Sequence, residues 1–317
     1  MEPCNAGKGR TNRPLHSSGR SERRFERINV AAMAQNATFE SPVLTIERQD
    51  AVATVWLDRP EARNAMGQDL WRDLPLAMQE VGADTAVRVV VVAAKGPHFS
   101  VGLDLKAMGG QLTDGSGAAG DGGAIPSAAV RAGRARADIL RYQAAITAVA
   151  QCPKPVIAAV HGYCIGGGVD LIAACDIRLA SADAIFSVRE AKVAIVADLG
   201  SLQRLPAIIG AGHVAELAFT GKDIDAERAR AIGLVNDVAT DGEALMKAAY
   251  ALAGEIGANS PIAVQGTKAV LAANEGRTVA EGLDYVATWN AGMLASDDLV
   301  EAMTAFMERR PPRFLGR

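Results

Sequence analysis

The stretch PKPVIAAVHGYCIGGGVDLIAACDIRLAS, residues 153–181, decides the fold because it joins a strand to a helix through three glycines. The apolar run KPVIAAVHG, residues 154–162, predicts a buried strand. Gly166–Gly168 then open a helix whose first N–H groups have no partner within the helix. A ligand oxygen can approach these N–H groups closely, and the helix dipole favours negative charge there. A tight packing turn between strand and helix is the alternative, and this stretch alone leaves both open.

A second glycine turn lies upstream, in PHFSVGLDLKAM at residues 97–108. It ends a predicted strand and turns at Gly102, before a short alternation of polar and apolar residues. Two such turns, each offering a backbone N–H group, are what a bipartite oxyanion hole requires. Each donor contributes roughly 3–4 kcal/mol to an enolate-like transition state. The two turns together therefore favour a site that stabilises negative charge on a substrate oxygen.

The segments around these turns alternate between strand and helix patterns. VLTIERQDAVATVWLDRP, residues 43–60, has two β-branched runs about a polar centre and predicts a hairpin. The apolar run at 88–96 predicts a strand covered on both faces, and apolar spacing predicts helices over 66–82 and 138–151. This order of elements indicates an α/β core with repeated crossovers.

After Asp223 the patterns become helical. Asp225 is the predicted cap of one helix and Gly233 its stop signal. Ser260 and Pro261 are the predicted cap and first-turn residue of another helix.

Composition disfavours several classes of protein. The chain has 317 residues, of which 49% are hydrophobic, enough for one large domain or for a core domain with a smaller helical one. A net charge of −3 gives no general attraction to nucleic acid, and no run of about 18 apolar residues predicts a membrane span. We therefore expect neither a nucleic-acid partner nor membrane insertion.

The four cysteines do not form a metal-binding or disulfide pattern. They contain no CxxC pair, and no histidine stands at zinc-finger spacing from them. We expect reduced, mostly buried thiols, no metal site and a cytosol-like compartment. A catalytic Cys164 beside His161 is the weaker alternative, because nothing else in the stretch resembles a nucleophile elbow.

Two segments differ in composition from the rest. Residues 1–40 are predicted to be a disordered basic tail, with seven Lys or Arg against three Glu up to Val30. An organellar transit peptide and a natural start at Met33 are the alternatives for this segment. Gly109–Gly123 contains seven glycines, which predict a mobile segment beside the site, since no phosphate-loop lysine follows it.

The chain resembles the enoyl-CoA hydratase/isomerase (crotonase) superfamily. HFSVGLDLKAM and the stretch quoted first carry the resemblance, with RPEARNAM upstream, and it extends over about residues 43–310. The resemblance implies an α/β fold with a crotonase-type ββα-spiral core at residues 41–240 and a C-terminal helical oligomerisation region at 241–317. It also implies homotrimers or homohexamers and an acyl-CoA thioester substrate. No metal and no cofactor beyond the coenzyme A of the substrate are expected.

The same resemblance assigns residues in the two glycine turns. The oxyanion-hole N–H groups would belong to Leu103 and Gly167. Gly102, Asp104 and Gly166 would bind the substrate.

Three carboxylates are candidates for proton transfer: Asp170, Glu190 and Asp198. Asp170 lies three residues beyond Gly167, close to one helical turn, and can face the same pocket. An unpaired carboxylate among its apolar neighbours would be costly unless something uses or satisfies it. Asp198 has similarly apolar neighbours, and its alternative role is to cap the following helix.

An Asp, a Glu and an Asp in this arrangement resemble the Δ3,5-Δ2,4-dienoyl-CoA isomerases within the superfamily. The resemblance implies isomerisation of 3,5-dienoyl-CoA to 2,4-dienoyl-CoA in fatty-acid β-oxidation, with a proton removed from C2 and one returned at C6. It assigns these transfers to Glu190 and Asp198, with Asp198 favoured at C2, and leaves Asp170 to tune or orient the pair. Hydration of a 2-enoyl-CoA by Asp170 and Glu190 is the main alternative, and a non-catalytic crotonase-fold binding protein is the other.

Other polar residues near the turns carry less weight. His98 and His161 flank the turns, where loop packing explains a histidine better than catalysis does. Lys106, Lys154 and Lys268 are unranked candidates for contacts with the CoA phosphates. The chain ends in RFLGR rather than in an SKL-like tripeptide, and we therefore expect a cytoplasmic location.

Overall fold

The computed structural model of the chain describes residues 39–107 and 127–317. Nearly all of the predicted basic tail lies outside the described residues, as do the Gly109–Gly123 segment and Cys4. Within the described part, no helix is both long enough and apolar enough to cross a membrane.

The strands of the described residues form two sheets. In chain order the strands are β1 Leu44–Gln49, β2 Val52–Leu57, β3 Val89–Ala94, β4 Val156–Val160, β5 Tyr163–Ile165, β6 Ile177–Ser181, β7 Ile185–Ser187, β8 Ile224–Asp225 and β9 Asp237–Ala239. The larger sheet has the order β1-β2-β3-β4-β6-β9, and the smaller has the order β5-β7-β8. In the larger sheet only the β1–β2 hairpin is antiparallel, as predicted.

Parallel neighbours need crossover connections, and helices supply most of them here. In chain order the α-helices of the described residues are α1 Gln68–Ala83, α2 Ala128–Ala150, α3 Gly167–Ala173, α4 Ser201–Ile209, α5 Ala211–Thr220, α6 Ala226–Ala231, α7 Gly242–Gly257, α8 Pro261–Ala273, α9 Val279–Met293 and α10 Asp297–Glu308. The α/β architecture expected from the order of elements is confirmed. Two successive strands followed by a helix recur along the chain, as in β1-β2-α1 and β4-β5-α3.

Strand β3 is buried on both faces, which explains its continuous run of apolar residues. Val90 and Val92 belong to the main core, together with α1. Val89 and Val91 face the other way, into a second cluster with Leu245 of α7. The sheet is therefore covered on both sides at its centre, as the sequence predicted for this strand.

Helix boundaries follow local capping residues. Asp225 and Ser260 cap α6 and α8 as predicted, because their side chains accept hydrogen bonds from the N–H groups of Arg228 and Ala263. Helix α2 begins earlier than the predicted residue 138, because the Ser127 hydroxyl caps it and its Ala-rich and Arg-rich first turns favour helix. Apolar periodicity alone did not predict that extension.

Helices α8 to α10 leave large apolar side chains exposed to solvent. The side chains of Phe306, Met307 and Val279 are each 81% exposed. Several exposed apolar side chains on neighbouring helices favour an interaction face. The boundary of an oligomerisation region at residue 241 stays a prediction.

Candidate active site

The two glycine turns lie side by side. Ser100 and Cys164 form a parallel bridge, in which Ser100 N donates to Tyr163 O at 2.8 Å and Ile165 N donates to Ser100 O at 3.0 Å. The approach is so close that a side-chain carbon at Gly102 would lie 2.7 Å from the Ile165 carbonyl oxygen. Gly102 also has a φ of +82°, which favours glycine. Strand pairing thus brings together two turns that are distant in the sequence.

Each turn presents a backbone N–H group to one cavity. Leu103 and Gly167 both line a cavity of about 410 Å³. Among the hydrogen bonds of the described residues, none uses the N–H group of Leu103 or of Gly167. Gly167 is the first residue of α3, where N–H groups have no partner inside the helix. The arrangement can therefore receive a ligand oxygen between two donors.

The three candidate carboxylates line the same cavity. Asp170 comes from α3, Glu190 begins the 3₁₀ turn Glu190–Val193, and Asp198 lies in the loop before α4. The remaining wall is mostly apolar and includes Leu105, Ile139, Tyr142, Ile165, Val193, Ile195 and Leu199. Charged groups with few polar neighbours in a concave, apolar site are typical of catalytic acids and bases.

The buried Asp170 carboxylate has a partner that explains its place in an apolar helix. Its Oδ1 accepts a hydrogen bond of 2.6 Å from Ser201 N, the first N–H group of α4. Burial raises the pKa of Asp170 to about 6, and the contacts with Ser201 limit that rise. Asp170 therefore holds the start of α4 against α3. Asp198 does not cap α4, which was the alternative role considered for it from the sequence.

Glu190 and Asp198 are the less satisfied carboxylates. Burial raises the pKa of Glu190 to about 7, and the nearby charges of Asp170 and Asp198 add to the rise. Its Oε2 is buried and has no hydrogen-bond partner among the described residues, and its Oε1 would lie 3.1 Å from a side-chain carbon at Gly166. Asp198 is half-buried, and burial raises its pKa as well. Both groups are chemically available at the cavity wall.

Comparison with known proteins identifies the family. The enoyl-CoA hydratase/isomerase family model matches residues 47–121 and 127–317. The chain belongs to the enoyl-CoA hydratase/isomerase family. The peroxisomal Delta(3,5)-Delta(2,4)-dienoyl-CoA isomerase of Arabidopsis thaliana is 44% identical over 281 residues, which cover 87% of this chain and 99% of that relative. The mitochondrial enzyme of the same name from Mus musculus is 44% identical over 293 residues, covering 89% of this chain and 87% of the relative.

A solved structure supports the same family membership. The crystal structure of an enoyl-CoA hydratase from Bacillus anthracis matches with a TM-score of 0.77 at 28% sequence identity. The match covers 87% of this chain and 100% of that one. The crotonase resemblance read from the two glycine turns is confirmed.

The expectation of a cytoplasmic location is wrong. The Arabidopsis relative is named as peroxisomal, and the mouse and Homo sapiens relatives are named as mitochondrial. The expectation rested on the pattern of reduced cysteines and on the absence of an SKL-like tripeptide, which is only one kind of targeting signal. An N-terminal transit peptide is another, so the missing tripeptide could not decide the compartment.

Asp104 was predicted to bind the substrate, but it does not line the cavity. Its Oδ2 accepts a hydrogen bond of 2.8 Å from Arg59, and its Oδ1 accepts one of 3.0 Å from Ala107 N. These contacts lower the pKa of Asp104. Asp104 therefore fixes the turn after Leu103, whereas Gly102 and Gly166 do line the cavity.

The two candidate histidines, His98 and His161, and two of the three candidate lysines make structural contacts. His161 Nε2 lies 2.8 Å from Gly96 O, and the His98 ring stacks against Tyr163 with a centroid distance of 4.6 Å. Lys154 is buried and donates to Val81 O at 2.6 Å. Lys268 pairs with Asp176 at 2.6 Å, which leaves Lys106 as the exposed lysine of the three candidates.

The described cysteines have no sign of reactivity. Cys152, Cys164 and Cys175 are free and buried, and burial raises the pKa of Cys164 well above its usual range. Within residues 39–107 and 127–317, no group of three or more His, Cys, Asp or Glu side chains could hold a metal ion.

Sequence reasoning missed Ser201 and Gln143, which contact the carboxylate-bearing segments. Ser201 meets Asp170 through its backbone, and a backbone contact has no residue-type signal. Gln143 Nε2 donates to the carbonyl oxygen of Asp198. Gln143 directly follows the buried Tyr142 in α2, but nothing in the sequence relates Gln143 to Asp198.

Proposed function

We propose that this protein isomerises 3,5-dienoyl-CoA thioesters to 2,4-dienoyl-CoA thioesters, as a step in the β-oxidation of unsaturated fatty acids. The observation that carries the proposal is the position of Asp198 on the wall of the cavity that also contains Glu190 and both glycine turns. The names of the relatives that are 44% identical support the same activity.

The reaction requires what this cavity offers. Conjugating the diene with the thioester means removing a proton from C2 and returning one at C6, through a dienolate. The N–H groups of Leu103 and Gly167 would stabilise the thioester oxyanion of that dienolate. C2 and C6 are too far apart for one carboxylate to serve both easily, so two acids along the acyl chain are needed.

The electrostatics favour Asp198 as the base at C2 and Glu190 as the acid at C6. Burial, with the charges of Asp170 and Asp198 added, raises the pKa of Glu190 to about 7. A carboxyl with that pKa carries a proton on a large fraction of molecules at neutral pH and can donate it. Burial also raises the pKa of Asp198, but no neighbouring carboxylate charge adds to that rise, so its ionised form is opposed less than that of Glu190. Two carboxyl groups in one apolar site thereby take opposite roles.

Hydration of a 2-enoyl-CoA is the competing function. It would need Asp170 and Glu190 to hold and activate a water between them. Asp170 instead directs Oδ1 at the Ser201 N–H group, 2.6 Å away, which reduces its capacity to act as a base. We therefore rank hydration second.

The substrate is an acyl-CoA thioester, and the proposed proton transfers use side chains and backbone N–H groups of the chain without a further cofactor. The exposed apolar faces of α8 to α10 support assembly into a homotrimer or homohexamer. Light scattering of the purified protein measures that assembly, and a monomer would contradict it.

Two substrates separate the candidate functions. A 3,5-dienoyl-CoA should gain ultraviolet absorbance from extended conjugation with the thioester, and a 2-enoyl-CoA should keep its enoyl absorbance. Loss of enoyl absorbance without isomerisation of the diene would indicate hydration. Asp198→Asn should lower the isomerisation rate on the order of 10²-fold or more. If that variant isomerises as fast as the parent, the assignment of Asp198 as a proton-transfer residue is wrong.

A further inference from the structure

We propose that Gln143 is a positioning residue that holds the Asp198 carboxyl group in place through the Asp198 backbone. The inference rests on the proposed isomerisation, since it concerns how the C2 base is held. Gln143 lies on α2, and its side-chain amide Nε2 donates to Asp198 O at 2.6 Å. The partners are 55 residues apart in sequence.

The segment that carries Asp198 has open space on both sides. Asp198 and Leu199 line the catalytic cavity of about 410 Å³. The same two residues line a second cavity of about 1000 Å³, and Gln143 lies on the wall of that second cavity. The neighbours Ala197 and Leu199 are packed in the main core, but the half-buried Asp198 faces both cavities. Packing therefore constrains Asp198 less than its neighbours, and hydrogen bonds contribute more to its position.

The contacts around Asp198 differ in how directly they act on it. Arg204 donates to Leu199 O at 3.4 Å and to Thr147 Oγ1 at 3.3 Å, both long distances. Asp170 accepts from Ser201 N, beyond Gly200. The φ of Gly200 is +126°, a conformation that side chains rarely adopt. The chain thus turns at Gly200, between the Asp170 contact and Asp198.

Gln143 makes a hydrogen bond to Asp198 itself, through the Asp198 carbonyl oxygen. Tyr142, the preceding residue on α2, lines the catalytic cavity and is buried. Helix α2 therefore forms part of the substrate wall with Tyr142 and fixes the base with Gln143. A shift of Asp198 relative to the substrate is opposed by the same rigid helix that shapes the cavity.

Removal of the amide should affect chemistry more than substrate binding. Gln143 does not line the catalytic cavity, so KM should stay within about threefold of the parent value. Misplacing a catalytic group by about 1 Å can cost on the order of 10²-fold in rate. We expect kcat of Gln143→Leu to fall roughly 10-fold to 100-fold. Gln151→Leu is the matched control, because exposed Gln151 directly follows α2 and lines the second cavity, and no hydrogen bond of the described residues joins it to Asp198.

Hydrogen exchange in D₂O gives the readout that a purely structural role would not produce. NMR follows exchange at C2 of the 3,5-dienoyl-CoA and at C6 of the 2,4-dienoyl-CoA. Gln143→Leu should slow exchange at C2 at least 10-fold and leave exchange at C6 within about threefold of the parent. Equal slowing at both carbons would overturn the proposal, and so would C2 exchange as fast as in Gln151→Leu.

Circular dichroism and thermal melting establish that the variants fold. If Gln143→Leu fails to fold, Gln143→Asn replaces it, because the shorter amide keeps the polarity but does not reach the Asp198 carbonyl. Selective loss of C2 exchange in that variant supports the proposal, and unchanged C2 exchange overturns it. If the parent itself does not isomerise the 3,5-diene, the proposed function fails and the inference falls with it. If the parent isomerises and the Gln143 variants match it, the inference alone fails.

Discussion

Glu190 should destabilise the folded protein at alkaline pH, and Glu190→Gln should relieve that effect. The folded protein raises the pKa of this carboxyl from an ordinary value of 4.5 to about 7, mainly by burial. Because the folded chain binds the proton more tightly than the unfolded chain, the free energy of unfolding falls as pH rises from about 4.5 to about 7. Above that range the loss is constant.

The size of the effect follows from the same values. Each pKa unit is worth about 1.36 kcal/mol, so the rise corresponds to roughly 3 kcal/mol at full burial. Glu190 is only partly buried and faces the cavity, so water screens part of its charge and we expect about 1–3 kcal/mol. A glutamine of equal size has no charge to desolvate. The variant should therefore exceed the parent in stability at pH 8 and equal it near pH 4.5.

Chemical denaturation at pH 5 and pH 8 measures the difference, with isomerase activity followed in parallel. Glu190→Gln should lose activity on the order of 10²-fold while it gains stability at pH 8. Glu255→Gln is the control, because Glu255 is exposed on α7. If the stability difference between Glu190→Gln and the parent is the same at both pH values, the carboxyl is not held in the apolar environment described above. The assignment of Glu190 as the acid would then lose its physical basis.

Two further substitutions test the turns and the C-terminal helices. Gly102→Ala should lower kcat on the order of 10²-fold, because its side-chain carbon would lie 2.7 Å from Ile165 O and displace one oxyanion donor. Steady-state kinetics measures this loss, and a kcat within threefold of the parent value would contradict it. Gly266→Val should destabilise the α8–α9 contact by about 1–3 kcal/mol, since a side-chain carbon there would lie 2.5 Å from Trp289 Nε1. Thermal melting and light scattering measure that loss, and an unchanged melting temperature and oligomer size would refute it.

Local chemistry made much of the fold predictable from the sequence. The hairpin of β1 and β2, the two-sided burial of β3 and the caps at Asp225 and Ser260 depend on residues within one element or one turn. Capping and periodicity act over a few residues, so the printed sequence contains them. The start of α2 was missed because polar, Ala-rich helix has no apolar stripe to detect.

Contacts between distant segments limited the prediction of the site. The sequence could not relate Gln143 to Asp198, because strand order and helix packing bring them together. It also could not tell that Asp104 faces Arg59 rather than the cavity. Residue type predicted which groups were chemically able to act at the site. Tertiary structure decided which of them line the cavity.

Asp170 illustrates why the three carboxylates should not be read as one set. Its position among apolar residues predicted that something must satisfy or use the charge, and Ser201 N satisfies it. Burial is the main cause of the raised pKa of Glu190, and the charge of Asp170 adds to it, so a group with a structural contact also contributes to the protonation of the proposed acid. Moving a proton between C2 and C6 requires two groups that exchange protons with the substrate, and Asp170 is the one already engaged. We therefore propose that Glu190 and Asp198 exchange protons with the substrate, and that Asp170 acts on them through the start of α4 and through its charge.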